Sequence, residues 1–461
     1  MLVYNNYMDR QTLTSLFQGK VIVPGDADYD TARQVFYGGI DKKPAAIIRV
    51  ADANDVKQTI QLAKDKGLEL AVRSGGHSVA GYSTTDGGIV IDLHDMRDIE
   101  IDDTNKTVWA QTGLTAGQLT AELDKHGFVL GFGDTGTVGI GGITLGGGVG
   151  FLARKFGLAI DNLLAAEIVT AEGEILQIDN TSHPDLFWAI RGGGGNFGIV
   201  TKFKYKLHEL HECYGGMLLL PATPEVIAGV AKIASEAPHE LSTIANVMPA
   251  FPMPFIPEAF HGKLSVMVLM VYAGDPVEGE KVVAPFRALA TPIADMVKPM
   301  RYKDIFPPEG ESYHPTAVSK NMFINTIDQD VASSALERLD NNDAPMRAFQ
   351  FRVLGGAVAQ VPDDATAYAH RQNPIMVNIA CFYETDAEKP GRQQWVDDFA
   401  ASLDQGTSAG YSNFLGPAEQ DRLLDAYPQQ TLDKLRDIKS KYDPTNLFKR
   451  NFNITPNKKA S

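Results

Sequence analysis

Cysteine is almost absent: Cys213 and Cys381, far apart, are the only two in 461 residues. Two distant cysteines form neither a disulfide framework nor a metal cluster, and they point to a reducing compartment. The N-terminal MLVYNNYMDR lacks a basic segment followed by an apolar run, so no secretory leader is expected. No uncharged apolar stretch approaches the roughly 20 residues a membrane-spanning helix needs. The longest apolar stretch, near Leu264–Tyr272, suits a buried strand instead. Positive charge is also short, with 42 Lys and Arg against 57 Asp and Glu and a net charge of -15. Nucleic acid and anionic membranes need a basic face, so neither is expected as a partner. No His, Asp or Glu cluster has metal-ligand spacing, so no metal is expected. The phosphate-loop pattern GxxxxGK[ST] is missing, as is a Rossmann GxGxxG followed by an acidic residue about twenty positions on, which disfavours an ATPase or an NAD enzyme. The expectation is a cytoplasmic protein acting on small molecules.

What the chain has is glycine, 43 in all, concentrated at three places. "RSGGHS" (Arg73–Ser78) follows a strand-like run. "GFGDTGTVGIGGITLGGGVG" spans Gly131–Gly150. "RGGGGNFGIV" spans Arg191–Val200. Glycine lets backbone approach a ligand closely and aim N–H groups at oxyanions. Three separate clusters suit a long ligand touched at several points, a dinucleotide rather than a mononucleotide.

Periodicity gives the organisation. Residues 1–40 read as a short helix and a connecting arm. Ala45–Val50 reads as a strand. A helix capped by Asp52 or Asn54 follows, with an apolar face of Val56, Ile60 and Ala63 and an end at Gly67. Strands are predicted at Leu68–Arg73, Ile89–Leu93 and Thr107–Gln111, a helix at Ala116–His126, and a hairpin from Ala165 to Ile178. After about Leu210 the character changes to more proline and period-two strands, such as Leu264–Val271 and Met346–Leu354. This predicts an antiparallel sheet with helices on one face. The expected division is a cofactor domain over 1–210, with its core at about 40–210, a substrate domain over 211–425, and a C-terminal return over 426–461.

Taken in order, "RSGGHS", "TVGIGGITLGGGVGFLARKFGLAIDN", "HPDLFWAIRGGGGNFGIVTKF" and "YDPTNLFKRNFNI" resemble the berberine-bridge-enzyme-like FAD-linked oxidases of the vanillyl-alcohol-oxidase superfamily. The C-terminal pattern is similar to that of bacterial hydroxynicotine oxidases. The resemblance covers roughly residues 40–210 and 425–456. It implies an α+β fold: a PCMH-type FAD-binding domain of two subdomains, plus a substrate domain whose antiparallel sheet is covered by helices. It implies FAD bonded covalently to His77 through the flavin 8α-methyl carbon. Doubly linked relatives carry a cysteine where Thr135 stands, so a single link is expected. Val138 falls at a gate position where valine accompanies oxygen reactivity. By the same resemblance Arg73, Ser74, Gly75, Gly76 and Ser78 line the pyrophosphate and flavin. Thr137, Gly141, Gly142, Gly148, Asn196, Gly198 and Val200 contact the cofactor, and Asn446, Phe448 and Asn453 belong to the tail's return.

The implied reaction takes a hydride from a small alcohol, sugar or secondary metabolite, with a protein base removing a proton and O2 reduced to hydrogen peroxide. Candidates for the chemistry are Tyr411 and Asn413 in "YSNF", Tyr427, and Arg352, which shares a strand face with Gln350 and Leu354. Arg352 would favour an anionic or hydroxyl-rich substrate over an amine. Hydroxynicotine oxidases place glutamates on this strand and this chain does not, which weakens a nicotine-like assignment. His370, Phe187 and Trp188 are expected in structural roles. The competing readings are a dehydrogenase with another electron acceptor, and a cyclase or binding protein with a non-redox flavin.

Overall fold

The computed structural model describes residues 10–306 and 314–457. The fold is α+β, and the described residues form four sheets. The first places Lys20–Ile22, Ala46–Arg49, Ile89–Asp92 and Leu70–Arg73 side by side, the last three parallel. Ile47, Ile48, Ala71, Val90 and Ile91 are fully buried, as expected for parallel strands covered on both faces. The crossover helix Ala53–Lys66 starts where Asp52 accepts the N–H groups of Asn54 and Asp55, and stops at Gly67 with φ 63°. Its Val56, Ile60 and Ala63 face the core. Lys20–Ile22 is a strand within the stretch expected as a connecting arm; three residues are too few for a periodic signal.

The second sheet is antiparallel, in the order Ile99–Asp102, Thr107–Gln111, Ile199–Lys206, Leu163–Val169, Ile175–Asp179. A two-stranded ribbon pairs Phe128–Val129 with His208–Glu209. The fourth sheet has eight strands, all antiparallel, with Leu264–Tyr272, Leu241–Pro249, Arg347–Val353 and Ile375–Phe382 at its centre. Helices Pro224–Glu236, Pro276–Arg287, Gln329–Asp340 and Lys389–Ser402 cover one face and share its core. Period two sends Phe349, Phe351 and Val353 into that core. Gln350 and Arg352 therefore point to the opposite face, toward the first two sheets. Among the described residues, no helix is long and apolar enough to cross a membrane.

The helix Gln429–Tyr442 returns the chain to the glycine loop through a buried ion pair. Lys439 and Asp443 are both fully buried, 2.7 Å apart. Lys439 also donates to the carbonyls of Asn196 (2.7 Å) and Phe448 (3.1 Å), and Asp443 accepts the N–H groups of Leu447 and Phe448. Burial, opposed by Asp443, holds the lysine pKa below its ordinary value. Removing one member of such a pair strands the other charge, at a cost of about 3–5 kcal/mol. Asp443→Ala is therefore expected to lower the urea midpoint sharply. Lys439→Met/Asp443→Leu should recover only the part due to the stranded charge, because it leaves the Asn196 and Phe448 carbonyls and the Leu447 and Phe448 N–H groups without these partners.

Candidate active site

The three glycine clusters converge on one cavity of about 430 Å3. The strand Leu70–Arg73 delivers the His77 turn, in which Gly76 has φ 72°, a conformation that favours glycine. Val138 and Gly139 lead into the helix Ile140–Gly146. Gly194–Asn196 forms the third wall. The cavity runs from an apolar end, where Leu70, Leu93, Ile199 and Phe448 share a cluster, to the open face of the eight-stranded sheet. There Ser319, Gln350, Arg352 and Asn378 line it.

His77 stacks on Phe36 at 4.0 Å between ring centroids, and its Nε2 is 3.1 Å from the Thr137 hydroxyl. Burial lowers its pKa to about 4, against the smaller opposing pull of Thr137 and Asp134. The imidazole is therefore neutral at pH 7, with a lone pair available for bonding to carbon. Among the described residues, nothing in the protein accepts from the backbone N–H groups of Gly75, Gly76, His77 or Ser78. Consecutive unpaired amides on a glycine turn form a concavity suited to a phosphate.

Tyr411 is buried, and its hydroxyl oxygen accepts two hydrogen bonds, from Gly148 N–H at 3.0 Å and Asn413 Nδ2 at 2.9 Å. Burial raises its pKa; the two donors and Arg352 pull the other way. Arg352 is 5% exposed and closed by partners: Asp134 at 2.6 Å, Gln350 Oε1 at 2.9 Å and the ring of Phe414. Tyr427 also lines the cavity, but its hydroxyl donates to the Gly192 carbonyl at 3.2 Å.

The cavity lining includes Ser74, Gly75, Gly76, His77, Ser78, Val138, Gly141, Gly142, Asn196, Gly198, Val200, Arg352, Tyr411, Asn413 and Tyr427. Five expected residues lie off it. Arg73 pairs with Asp92 at 2.7 Å and, with Thr137, faces an outer cleft. Gly148 packs on Ala159 and acts through its N–H on Tyr411. Asn446, at φ 53°, shapes the turn after Asp443, and Asn453 is held at its N–H by Gln420. The glycines also divide by role. A Cβ on Gly141 would meet Thr112 at 2.4 Å and one on Gly198 would meet Ile168 at 2.7 Å, so these serve packing. A Cβ on Gly142 or Gly195 meets nothing within 4 Å and would project into open space.

His370 has the expected structural role, with Nε2 3.0 Å from the Ala426 carbonyl, and Phe187 and Trp188 sit in the core. Sequence reasoning missed Phe36, Asp134 and Asn378. Phe36 sits in an arm without periodicity. Asn378 becomes visible only through its register opposite Gln350.

The residues fit FAD. Ser83 Oγ, Thr112 Oγ1, Asn378 Oδ1 and Asn451 Oδ1 are buried without partners in residues that line the cavity, as a polar ligand requires. The unpaired amides suit a pyrophosphate, and the apolar end suits an aromatic base.

Comparison with known proteins agrees. The family model for an FAD binding domain matches residues 44–179, and that for berberine and berberine-like proteins matches residues 410–455. An FAD-linked oxidoreductase of Dictyostelium discoideum is 30% identical, covering 90% of this chain and 89% of its own. The (R)-6-hydroxynicotine oxidase of Paenarthrobacter nicotinovorans is 29% identical, covering 95% of this chain and 97% of its own. The crystal structure of 6-hydroxy-D-nicotine oxidase from Arthrobacter nicotinovorans superposes with a TM-score of 0.86 at 27% identity, over 96% of this chain and 98% of that one.

Two measurements test the site. In cofactor-free protein the His77 resonance should titrate near pH 4. Because the folded pKa lies below the unfolded value of about 6.5, the unfolded state alone binds this proton between those values, so His77 lowers stability as pH falls through that window. Gly142→Leu replaces glycine inside a helix, so the apoprotein should be at least as stable as the parent. Its FAD-to-protein ratio should nevertheless fall several-fold.

Proposed function

The chain belongs to the berberine-bridge-enzyme-like FAD-linked oxidoreductases, and from that membership we propose an oxidase of small, uncharged, hydroxyl-bearing molecules with His77 as the sole covalent anchor of FAD. Bound FAD supplies the hydride acceptor and the route for electrons to O2, giving hydrogen peroxide. Thr135 stands where doubly linked relatives have cysteine, and a hydroxyl forms no thioether. The observation that carries the reading is the Tyr411 oxygen, held as an acceptor by two N–H donors at the end of the cavity that meets the large sheet. A phenolic oxygen so held is suited to take the substrate's hydroxyl proton as a hydride leaves the adjacent carbon. Asn413 and Gly148 orient it, and Arg352 favours its anionic form.

The substrate class follows from charge. Asp134 and Gln350 occupy the guanidinium of Arg352, so it offers no free cation to a carboxylate. Among the described residues, no unpaired carboxylate faces the cavity from the large sheet to hold an amine. Gln350, Asn378 and Ser319 present amides and a hydroxyl, groups that bind neutral hydroxyls. Val138 lines the same cavity, consistent with oxygen as the acceptor.

Acid precipitation should leave a yellow pellet from the native protein and a colourless one from His77→Ala. Peroxide release should occur with neutral alcohols or sugars and not with amines or carboxylates. A requirement for a dye in place of O2 would move the assignment to a dehydrogenase. Tyr411→Phe should lower kcat/KM by about 10²–10⁴-fold, the usual range for a lost general base, with the melting temperature little changed. Because burial raises the Tyr411 pKa, native kcat/KM should climb with pH above neutrality, and this limb should vanish in the variant.

A further inference from the structure

A second cleft, of about 410 Å3, lies against the His77 turn. It shares Phe36 and Ser74–His77 with the cofactor cavity, and otherwise has its own lining. We propose that it is a separate binding site for the phosphate group of a small phosphomonoester.

The site is built at the carboxyl ends of the three parallel strands. Arg49, Asp92 and Arg73 end those strands in direct register. Carboxyl ends of parallel strands are where open α/β sheets bind ligands. Asp92 is 2% exposed and, among the described residues, is the only carboxylate of the lining. It receives Arg73 at 2.7 Å, the His94 N–H at 3.2 Å and a longer contact from Arg49 Nε at 3.4 Å. One carboxylate of the lining therefore serves two arginines, with Asp28, outside the lining, adding a further attraction to Arg49. Arg73 spends a further N–H on the Gln34 carbonyl. The Arg49 side chain makes no hydrogen bond among the described residues, and its buried Nε has only the 3.4 Å ionic contact with Asp92. Arg97 adds a third guanidinium. Its own bonds go to the carbonyl and ring of His94, neither of which is a carboxylate; Asp95 meets that ring from its other nitrogen at 2.9 Å.

A role confined to tying the strands together would need one arginine for one carboxylate. Among the described residues the lining instead carries an excess of two positive charges, in a chain whose net charge is -15. A phosphomonoester carries about −1.5 to −2 charges at neutral pH and accepts the forked donors of arginine. The cleft also falls within the roughly 300–1,000 Å3 of small-molecule sites, which leaves room for more than a bare phosphate. Thr31 and Gln118 line it and offer contacts for the remainder of the ligand.

The test is calorimetric titration of the FAD-loaded protein with glycerol 3-phosphate, inorganic phosphate and glycerol at constant ionic strength. One site per chain is expected, with glycerol 3-phosphate binding more tightly than inorganic phosphate and glycerol not binding. Arg49→Gln and the exposed Arg97→Gln should each weaken binding about tenfold or more, with flavin absorbance and melting temperature retained. Equal binding by native protein and both variants would overturn the proposal. So would equal affinity for inorganic phosphate and the ester, which would mark a site for free oxyanion. Binding found only in FAD-free protein and displaced by FAD would assign the anion to the cofactor's pyrophosphate position, and would also overturn it.

Discussion

The site depends on one close approach of backbone to backbone. A Cβ on Gly75 would lie 2.1 Å from the Gly139 nitrogen, and a Cβ on Gly139 would lie 2.1 Å from the Gly75 nitrogen. The turn that leaves the parallel sheet therefore touches the loop that enters the helix Ile140–Gly146, with no room for any side chain. Ser74 fastens the same contact by donating to the Thr112 carbonyl at 2.6 Å and accepting from Gly141 N–H at 3.2 Å. This junction sets His77 against Thr137 and aligns both glycine walls of the cavity. A methyl group at either position would force the two sheets apart, and interiors resist such overpacking by about 1–3 kcal/mol.

Buried ion pairs add a second layer of order. Lys439–Asp443 fixes the tail to the glycine loop, Arg371–Asp161 (2.7 Å) fixes the segment after the Arg347–Val353 strand, and Arg352–Asp134 spans the cavity wall. Each joins residues brought together from different parts of the chain or closes a tight turn. Such pairs contribute little net stability, because desolvation offsets their attraction. Their effect here is geometric: a misplaced tail or strand would leave a charge buried and alone, so the penalty selects one arrangement of the walls.

Local structure was legible in the sequence because its signals are local. The Ala53–Lys66 helix carried its cap, its apolar face and its terminal glycine within sixteen residues. Thr107–Gln111 was short and rich in β-formers, and the order of glycine motifs located the cofactor region. The use of each glycine was not legible. Gly141 and Gly142 are adjacent and chemically identical, yet one packs against Thr112 and the other faces open space. Only the fold decides which. The same holds for Arg352. Its strand face could be read from alternation, but Asp134, its partner, lies 218 residues away. Read alone, the arginine offered a cation to substrate; paired, it offers none.

That pairing also separates the two sides of the His77 turn by their charge balance. On the inner side the charge that the described residues of the large sheet bring to the cavity, Arg352, is matched by Asp134, and burial raises the cost of any unmatched one. A neutral substrate can enter such a space without bringing a desolvated charge, and Tyr411 can hold a proton acceptor there because two N–H donors and a nearby guanidinium compensate its burial. On the outer side Asp92 answers two arginines and leaves Arg97 unmatched by any carboxylate of the lining. That excess is tolerable only because Arg97 is exposed, so water screens what the protein does not neutralise. The two spaces touch the same four-residue stretch, Ser74 to His77, and differ in whether their charges are closed from within the chain or left for a ligand to close.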